Sequence, residues 1–320
     1  MNMQGSITPA ATETLIADFR ATRVSFTTWG VKRALSDEQK AQAADRFGAD
    51  GEFLSAAKKI IDTKHEKYRA VSSIKSRMAR AWHDLTLPYP EPGLRLIREQ
   101  DVLTLNTNLE AGRLALHEAV RELDEVYLDL RYKAQAKLGS LYSASDYPAS
   151  VIGLFDASWD FPNVTPPEYL RTLNPKLYEQ ERQRIVARFD EAVSMAEQAF
   201  IGEFEQLVSH LAERLTGTND DGKAKAFKDS TVTNLSDFFK KFQHMSIKSN
   251  DQLEALVAQA QQMVAGVDPN AIRPEGGEVT TAQQVLRQHI AGNMNTIAEQ
   301  LQGMMVDKPR RRVVRRGNAA

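Results

Sequence analysis

The segment at residues 217–223, Gly-Thr-Asn-Asp-Asp-Gly-Lys, comes closest in this chain to a motif with known chemistry. Its glycine and lysine spacing matches the first part of the GxxxxGK(S/T) loop that binds nucleotide phosphates. However, Ala224 supplies no hydroxyl for magnesium, and Asp220 and Asp221 would repel a triphosphate. The segment also follows a predicted long helix instead of a strand. We therefore interpret it as a helix end closed by Gly217 and followed by a polar turn.

The other side chains with catalytic or metal-binding chemistry form no recognisable constellation. The six histidines are scattered, without an HExxH, HxH or Glu-x-x-His pattern. The chain contains no cysteine, which excludes disulfides, thiolate metal sites and cysteine nucleophiles. GxSxG, GxGxxG and protein-kinase motifs are also missing from the sequence. The sequence therefore predicts no catalytic, cofactor-binding or metal-binding residue.

Residues 308–316 concentrate positive charge near the end of the sequence. Counterion release would give such a tail a salt-sensitive affinity for nucleic acid. The alternatives are a solvated tail, a tail docked on an acidic patch of its own fold, and a contact with a partner protein. Val313 and Val314 favour docking, because a purely electrostatic arm has no need of them. The candidate nucleic-acid or partner contacts are Lys308, Arg310, Arg311, Arg312, Arg315 and Arg316.

Bulk composition is that of an ordinary globular protein. The 320 residues are 42% hydrophobic and 26% charged, with a net charge of −1, so the chain can bury a sizeable core and has no overall field that attracts DNA or membranes. No stretch approaches the length of apolar residues that spans a bilayer. The first residues lack the basic and apolar regions of a secretory signal. We expect a cytoplasmic protein without a membrane partner.

Two stretches, residues 100–138 and 176–216, have apolar residues at helical spacing and no internal proline. A typical helix has about 11–12 residues, so each stretch predicts a helix several times longer, of the kind that forms bundles and interaction surfaces. The proline-bounded ends and the aromatic segment between the two stretches indicate an antiparallel hairpin. One face of the second helix is rich in phenylalanine and predicts either a partner interface or a core seam, through Phe189, Phe200, Phe204 and Leu211.

Shorter elements complete a mainly α fold. Alternating apolar residues predict short strands near residues 24–28, 94–98 and 155–161, which would form a small antiparallel β element. Residues 52–85 are predicted to be mostly helical, and helices are also expected near 233–242, 249–266 and 280–305. We divide the chain into an N-terminal helical region with short strands (1–98), the long hairpin with an aromatic and proline-rich strap at 140–173 (99–217), C-terminal helices (218–306) and a basic tail (307–320).

Several idiosyncratic stretches resemble an uncharacterised bacterial and phage family of helical proteins, over most of the chain. Some members of that family are encoded near MoxR-type AAA+ ATPases and cobalt-chelatase-like von Willebrand A proteins. The resemblance implies an accessory or adaptor role and supplies no catalytic residue. It rests on residues 29–30, 58–59, 61–62, 159–162, 166–170, 177–181, 188–193, 197–200 and 307–311.

The long helices and the lack of a site constellation favour a non-enzymatic helical scaffold or adaptor in a larger assembly. Its expected partner is a protein, either an AAA+ ATPase or a second copy of the chain. One alternative is a nucleic-acid-associated protein that uses the arginine tail. A second alternative is an enzyme whose site is assembled from residues far apart in the sequence.

Overall fold

The computed structural model describes residues 9–217, 229–265, 272 and 279–305. Within these residues the chain forms ten α-helices and six short strands, so the predicted mainly α fold with a small antiparallel β element is confirmed. In chain order the elements are α1 (Pro9–Asp18), β1 (Phe19–Thr27), β2 (Lys32–Ala34), α2 (Asp37–Asp45), β3 (Ala57–Lys59), α3 (Glu66–Asp84), β4 (Thr86–Pro88), β5 (Arg95–Arg98), α4 (Val102–Glu125), α5 (Tyr127–Leu138), β6 (Asp156–Asp160), α6 (Tyr169–Leu173), α7 (Pro175–Thr216), α8 (Asp229–Met245), α9 (Asp251–Val264) and α10 (Thr281–Met304).

The strands form two small sheets. One has four strands in the order β4-β5-β1-β6, and the other pairs β2 with β3. In the larger sheet β1 and β6 are antiparallel, with Val24 opposite Trp159 and Phe26 opposite Ala157. The strands predicted near residues 24–28, 94–98 and 155–161 therefore correspond to β1, β5 and β6.

The chain divides into two compact units, each built from segments that are distant in sequence. The first comprises Met1–Phe19, Leu87–Pro92 and Val164–Ala320, and the second comprises Arg20–Thr86 and Gly93–Asn163. This division differs from the consecutive regions predicted from the sequence. The reason is that strand pairing and core packing join segments far apart along the chain, which local periodicity does not report.

In the first unit, α7 is one uninterrupted helix of 42 residues, about 60 Å long at 1.5 Å per residue. The predicted second long helix is thus confirmed. Its start is fixed by Asn174, whose side chain accepts a hydrogen bond from the Leu177 N–H at 3.1 Å, and by Pro175 in the first turn. α7 packs mainly against α10, and also against α1, α6 and α8.

The end of α7 is held by a buried arginine. Arg287 of α10 is 3% exposed. Its guanidinium donates hydrogen bonds to the carbonyls of Leu215 at 3.0 Å, Arg214 at 2.9 Å and Ile272 at 2.7 Å. Two of these carbonyls belong to the last turn of α7, where carbonyls have no partner within the helix. Burial lowers the pKa of Arg287, and these three carbonyls compensate the cost of burying its charge.

The first predicted long helix, by contrast, is divided into α4 and α5. At the division Val126 has φ −100° and ψ 0°, and its N–H bonds the Leu123 carbonyl at 3.3 Å. The Asp124 carboxylate accepts hydrogen bonds from the Val151 N–H at 2.7 Å and the Ser150 hydroxyl at 2.8 Å. The prediction of a single helix was wrong. Neither proline nor glycine marks the interruption in the sequence, because the interruption coincides with contacts to a loop that is distant along the chain.

The prediction that residues 52–85 are mostly helical also needs correction. α3 accounts for its second half, whereas β3 and irregular backbone occupy residues 54–65. β3 pairs with β2, and Lys58 of β3 lies 2.7 Å from the Asp146 carboxylate and donates to the Leu141 carbonyl at 2.6 Å. These long-range contacts favour the strand over the helix.

The predicted hairpin of the two long helices is not confirmed. α4 packs against α3 in the second unit, and α7 packs against helices of the first unit. The predicted C-terminal helices correspond to α8, α9 and α10. In the part of the chain that the structure describes, no helix is long and apolar enough to cross a membrane.

Candidate functional site

The phenylalanine-rich face of α7 lies in the core of the first unit. Phe189, Phe200, Phe204 and Leu211 are all buried. Phe204 stacks on Phe238 of α8 with ring centroids 5.0 Å apart, and Phe200 meets Phe242 edge to face at 5.1 Å. Of the two alternatives for these residues, the structure places them in a core seam that the chain itself covers.

The basic tail lies outside the described residues. This applies to all six of its candidate contacts, Lys308, Arg310, Arg311, Arg312, Arg315 and Arg316. Residues 218–223 of the phosphate-loop-like segment also lie outside the described residues, whereas Gly217 directly follows α7.

Large apolar side chains are exposed along the outer side of α4 and α5. Leu103 is 78% exposed, Leu114 71%, Leu128 55% and Tyr132 67%. Counted as one continuous helix of 3.6 residues per turn, these four positions fall within about 40° of one another. We call them the α4–α5 stripe. The buried residues Leu105, Leu109, Leu116, Val120 and Leu123 lie on the far side of the same helical segment.

The stripe is long and carries charges of both signs. From Leu103 to Tyr132 it extends about 45 Å at 1.5 Å per residue. Arg121 and Glu125 lie along it, and Arg121 forms an ion pair with Glu118 one turn away. Exposed apolar residues that form a patch bordered by polar residues are typical of protein contact surfaces. No regular apolar spacing marks this stripe in the sequence, because the regular spacing lies on the opposite face of the helix.

A second feature is a cleft of about 510 Å³ in the second unit, between the end of β1 and α3. We call it the β1–α3 cleft. Trp29, Val71, Leu116 and Phe155 supply its apolar wall. Its polar lining residues include Tyr68, Ser72, Lys75, Ser76 and Asp156.

Asp156 links this cleft to a histidine. His117 Nε2 lies 3.0 Å from Asp156 Oδ1, and both side chains are about half exposed. Partial burial alone would raise the pKa of Asp156, but the Ala157 N–H, His117 and Arg113 outweigh burial and lower it. Burial raises the pKa of Tyr68. The Asp156 carboxylate therefore stays ionised and can orient the imidazole, while Tyr68 stays a neutral hydrogen-bond donor.

Sequence reasoning could not have found this arrangement. Tyr68, His117 and Asp156 come from α3, α4 and β6, and no short motif joins them. Across the described ranges, no group of three histidine or acidic side chains could hold a metal ion.

Comparison with protein-family models, with curated proteins and with solved structures found no match. The family resemblance in the sequence therefore stays an expectation.

Proposed function

We propose that this protein is a non-enzymatic helical scaffold that assembles through the α4–α5 stripe, with a second copy of the chain as its partner. The observation that carries the proposal is the alignment of four exposed apolar side chains on one side of a helical segment. The family resemblance also suggests an assembly role, with an AAA+ ATPase as a further candidate partner.

Charge along the stripe supports a second copy as the occupant. An antiparallel copy placed so that Leu114 faces the partner's Tyr132 also brings Arg121 opposite the partner's Glu125, because both pairs are centred at position 123. Such a contact is isologous, so each favourable pair occurs twice.

The size of the stripe sets the expected strength of this association. In this register the two stripes overlap from residue 114 to residue 132, about 27 Å at 1.5 Å per residue. With a width of about 10 Å the contact covers roughly 270 Å² on each chain. The total of about 540 Å² is well below the 1,200 Å² typical of stable interfaces. We therefore expect a dimer that forms reversibly as the concentration rises.

Sedimentation equilibrium over a wide concentration range tests the proposal. The average mass of the wild type should rise from 35.8 kDa towards that of a dimer. Leu114→Glu with Leu128→Glu should keep the protein monomeric, because two charges would be buried in the contact. The matched control is Val285→Glu, an exposed apolar residue on α10, which should still dimerise. A wild type that stays monomeric at every concentration would refute self-assembly.

The second candidate function is association with nucleic acid through residues 308–316. The concentration of arginine in this segment favours it. The test compares the full chain with a chain ending at residue 307, titrated with DNA and RNA at two salt concentrations. Equal affinity of the two chains would exclude the tail as the binding element.

A third candidate is small-molecule binding or catalysis in the β1–α3 cleft, favoured by the bonded pair of His117 and Asp156. A thermal-shift screen against a metabolite collection would detect a ligand. Asp156→Asn should reduce the shift, since the neutral amide orients the imidazole less strongly. If no compound raises the melting temperature, this candidate is eliminated.

A further inference from the structure

A separate cavity of about 380 Å³ lies in the second unit, between the segment after β3 and one side of α5. Four lysines line it, two from each side, and Asp62 is the single carboxylate among its lining residues. We call it the lysine groove, and its lysines are Lys59, Lys64, Lys133 and Lys137. This local excess of positive charge contrasts with the net charge of −1 for the whole chain.

Among the described residues, these lysines have no acidic partner, unlike the neighbouring Lys58 and Lys67. Lys58 lies 2.7 Å from Asp146, and Lys67 lies 3.0 Å from Glu122. Among the residues that the structure describes, no carboxylate lies within 4.0 Å of any of the four groove ammonium groups. The Asp62 carboxylate instead accepts the Lys64 N–H at 2.9 Å.

Clustering these like charges costs a little stability, which a bound anion would offset. Lys133 and Lys137 are one turn apart on α5, where like charges repel by a few tenths of a kcal/mol. α3 begins at the groove, with its positive dipole end at His65. His65 Nδ1 accepts the Lys67 N–H at 3.4 Å, which leaves its Nε2 for a ligand.

The floor of the groove is apolar. Ile61, Leu130 and Ala134 line it, and all three are buried. A ligand that fits must therefore combine several negative charges with a body that can lie against hydrocarbon. The volume lies in the usual range of small-molecule sites, about 300–1,000 Å³.

We propose that the lysine groove binds a small organic phosphate, with its phosphate groups against the four lysines and its body against the apolar floor. Lysine is a common phosphate ligand that acts as a point charge. The proposal is independent of self-assembly, because the groove residues and the stripe residues are different.

Calorimetric titration of the full chain tests the proposal, with inorganic phosphate, pyrophosphate and ADP as probes. We expect ADP to bind more tightly than pyrophosphate, because its nucleoside adds contact with the floor. Lys133→Gln with Lys137→Gln should weaken ADP binding by about tenfold or more, since two charge-assisted hydrogen bonds are lost. The matched control, Lys176→Gln with Lys248→Gln, removes two exposed lysines elsewhere and should leave the affinity within about twofold.

A second measurement concerns the protein without ligand. The groove double variant should melt at the same temperature as the wild type or slightly above it, because a like-charge pair is removed. Failure of pyrophosphate and ADP to bind would overturn the proposal, as would equal losses in the groove and control variants. Binding of a single-stranded RNA far more tightly than ADP, lost in the groove variant, would replace it with a nucleic-acid surface.

Discussion

The two long helical segments of this protein pack in different ways. α7 is uninterrupted, and beyond Phe189 it exposes no large apolar side chain. The α4–α5 segment is divided at Val126, buries one side and exposes the stripe on the other. The cores differ as well: α7 packs against phenylalanines of α8, whereas α5 and its neighbours use Tyr127, Tyr142, Tyr147 and Trp29.

This comparison shows that the length of a helix and its apolar periodicity do not reveal which face remains exposed and available to a partner. Both stretches predict long amphipathic helices. The face of α7 that resembled an interface is covered by the chain itself, and the exposed apolar residues lie on the other segment, outside its regular seam. We expect the following variants to test this difference, beginning with the largest effect.

Phe204→Ala should destabilise the protein by about 3–5 kcal/mol, because a fully buried ring that stacks on Phe238 is lost. Leu114→Ala, on the exposed stripe, should change the free energy of unfolding by less than about 0.5 kcal/mol. Urea unfolding of both variants measures the difference. Equal changes in the free energy of unfolding would contradict the contrast between the covered face of α7 and the exposed stripe.

Arg287→Met should cost about 3 kcal/mol, because three carbonyl groups around the end of α7 lose a charged donor. Arg184→Met, which breaks only an exposed ion pair with Glu181 on α7, serves as the control and should cost less than about 0.5 kcal/mol. Hydrogen exchange should show faster exchange near residues 211–217 in the Arg287 variant alone. Unchanged exchange there would contradict the anchoring role.

Asp124→Ala should cost about 2 kcal/mol, because the carboxylate accepts two hydrogen bonds from the loop at Ser150 and Val151. Asp129→Ala removes an exposed carboxylate from the first turn of α5 and should cost only a few tenths of a kcal/mol. Thermal unfolding measures both. Similar losses of stability in the two variants would show that the contacts with Ser150 and Val151 do not stabilise the break between α4 and α5.

Tyr147→Phe should have little effect near neutral pH, because its buried hydroxyl has no hydrogen-bond partner among the described residues. Burial is the largest cause that raises the pKa of Tyr147, to about 12. An unfolded tyrosine ionises near pH 10, so this contribution to stability is complete below about pH 10 and is lost as the pH rises towards 12.

The alkaline loss of stability should therefore be smaller in Tyr147→Phe than in the wild type. Part of the alkaline loss of stability should remain in this variant, because burial also raises the pKa values of Tyr68 and Tyr127. The exposed Tyr132→Phe variant is the control, and equal alkaline losses in both variants would rule out a special role for Tyr147.

Local sequence signals predicted the elements whose ends depend on nearby residues. Ser36 and Gln39 form a capping box at the start of α2, and Asn174 with Pro175 starts α7, so both starts depend on residues adjacent in sequence. The helix expected near residues 249–266 corresponds to α9, whose first turn is capped by Asn250. Three of the four strands of the larger sheet, β1, β5 and β6, were predicted from short alternating runs.

What could not be predicted depends on contacts between distant residues. Lys58 joins β3 to Asp146, and Arg287 meets the end of α7 more than seventy residues away. The β1–α3 cleft and the lysine groove likewise combine residues from separate elements. Their lysines, tyrosine and histidine are ordinary in sequence, and only the fold brings them together.

The interruption at Val126 has a consequence for recognition. Leu103 and Leu114 precede it, whereas Leu128 and Tyr132 follow it. The two halves of the stripe are therefore aligned only while Val126 keeps its present backbone angles. A partner that contacts both halves binds one bend angle better than others, and its binding would shift the population towards that angle. The backbone angles of this single valine would then determine whether both halves of the stripe can contact the partner at the same time.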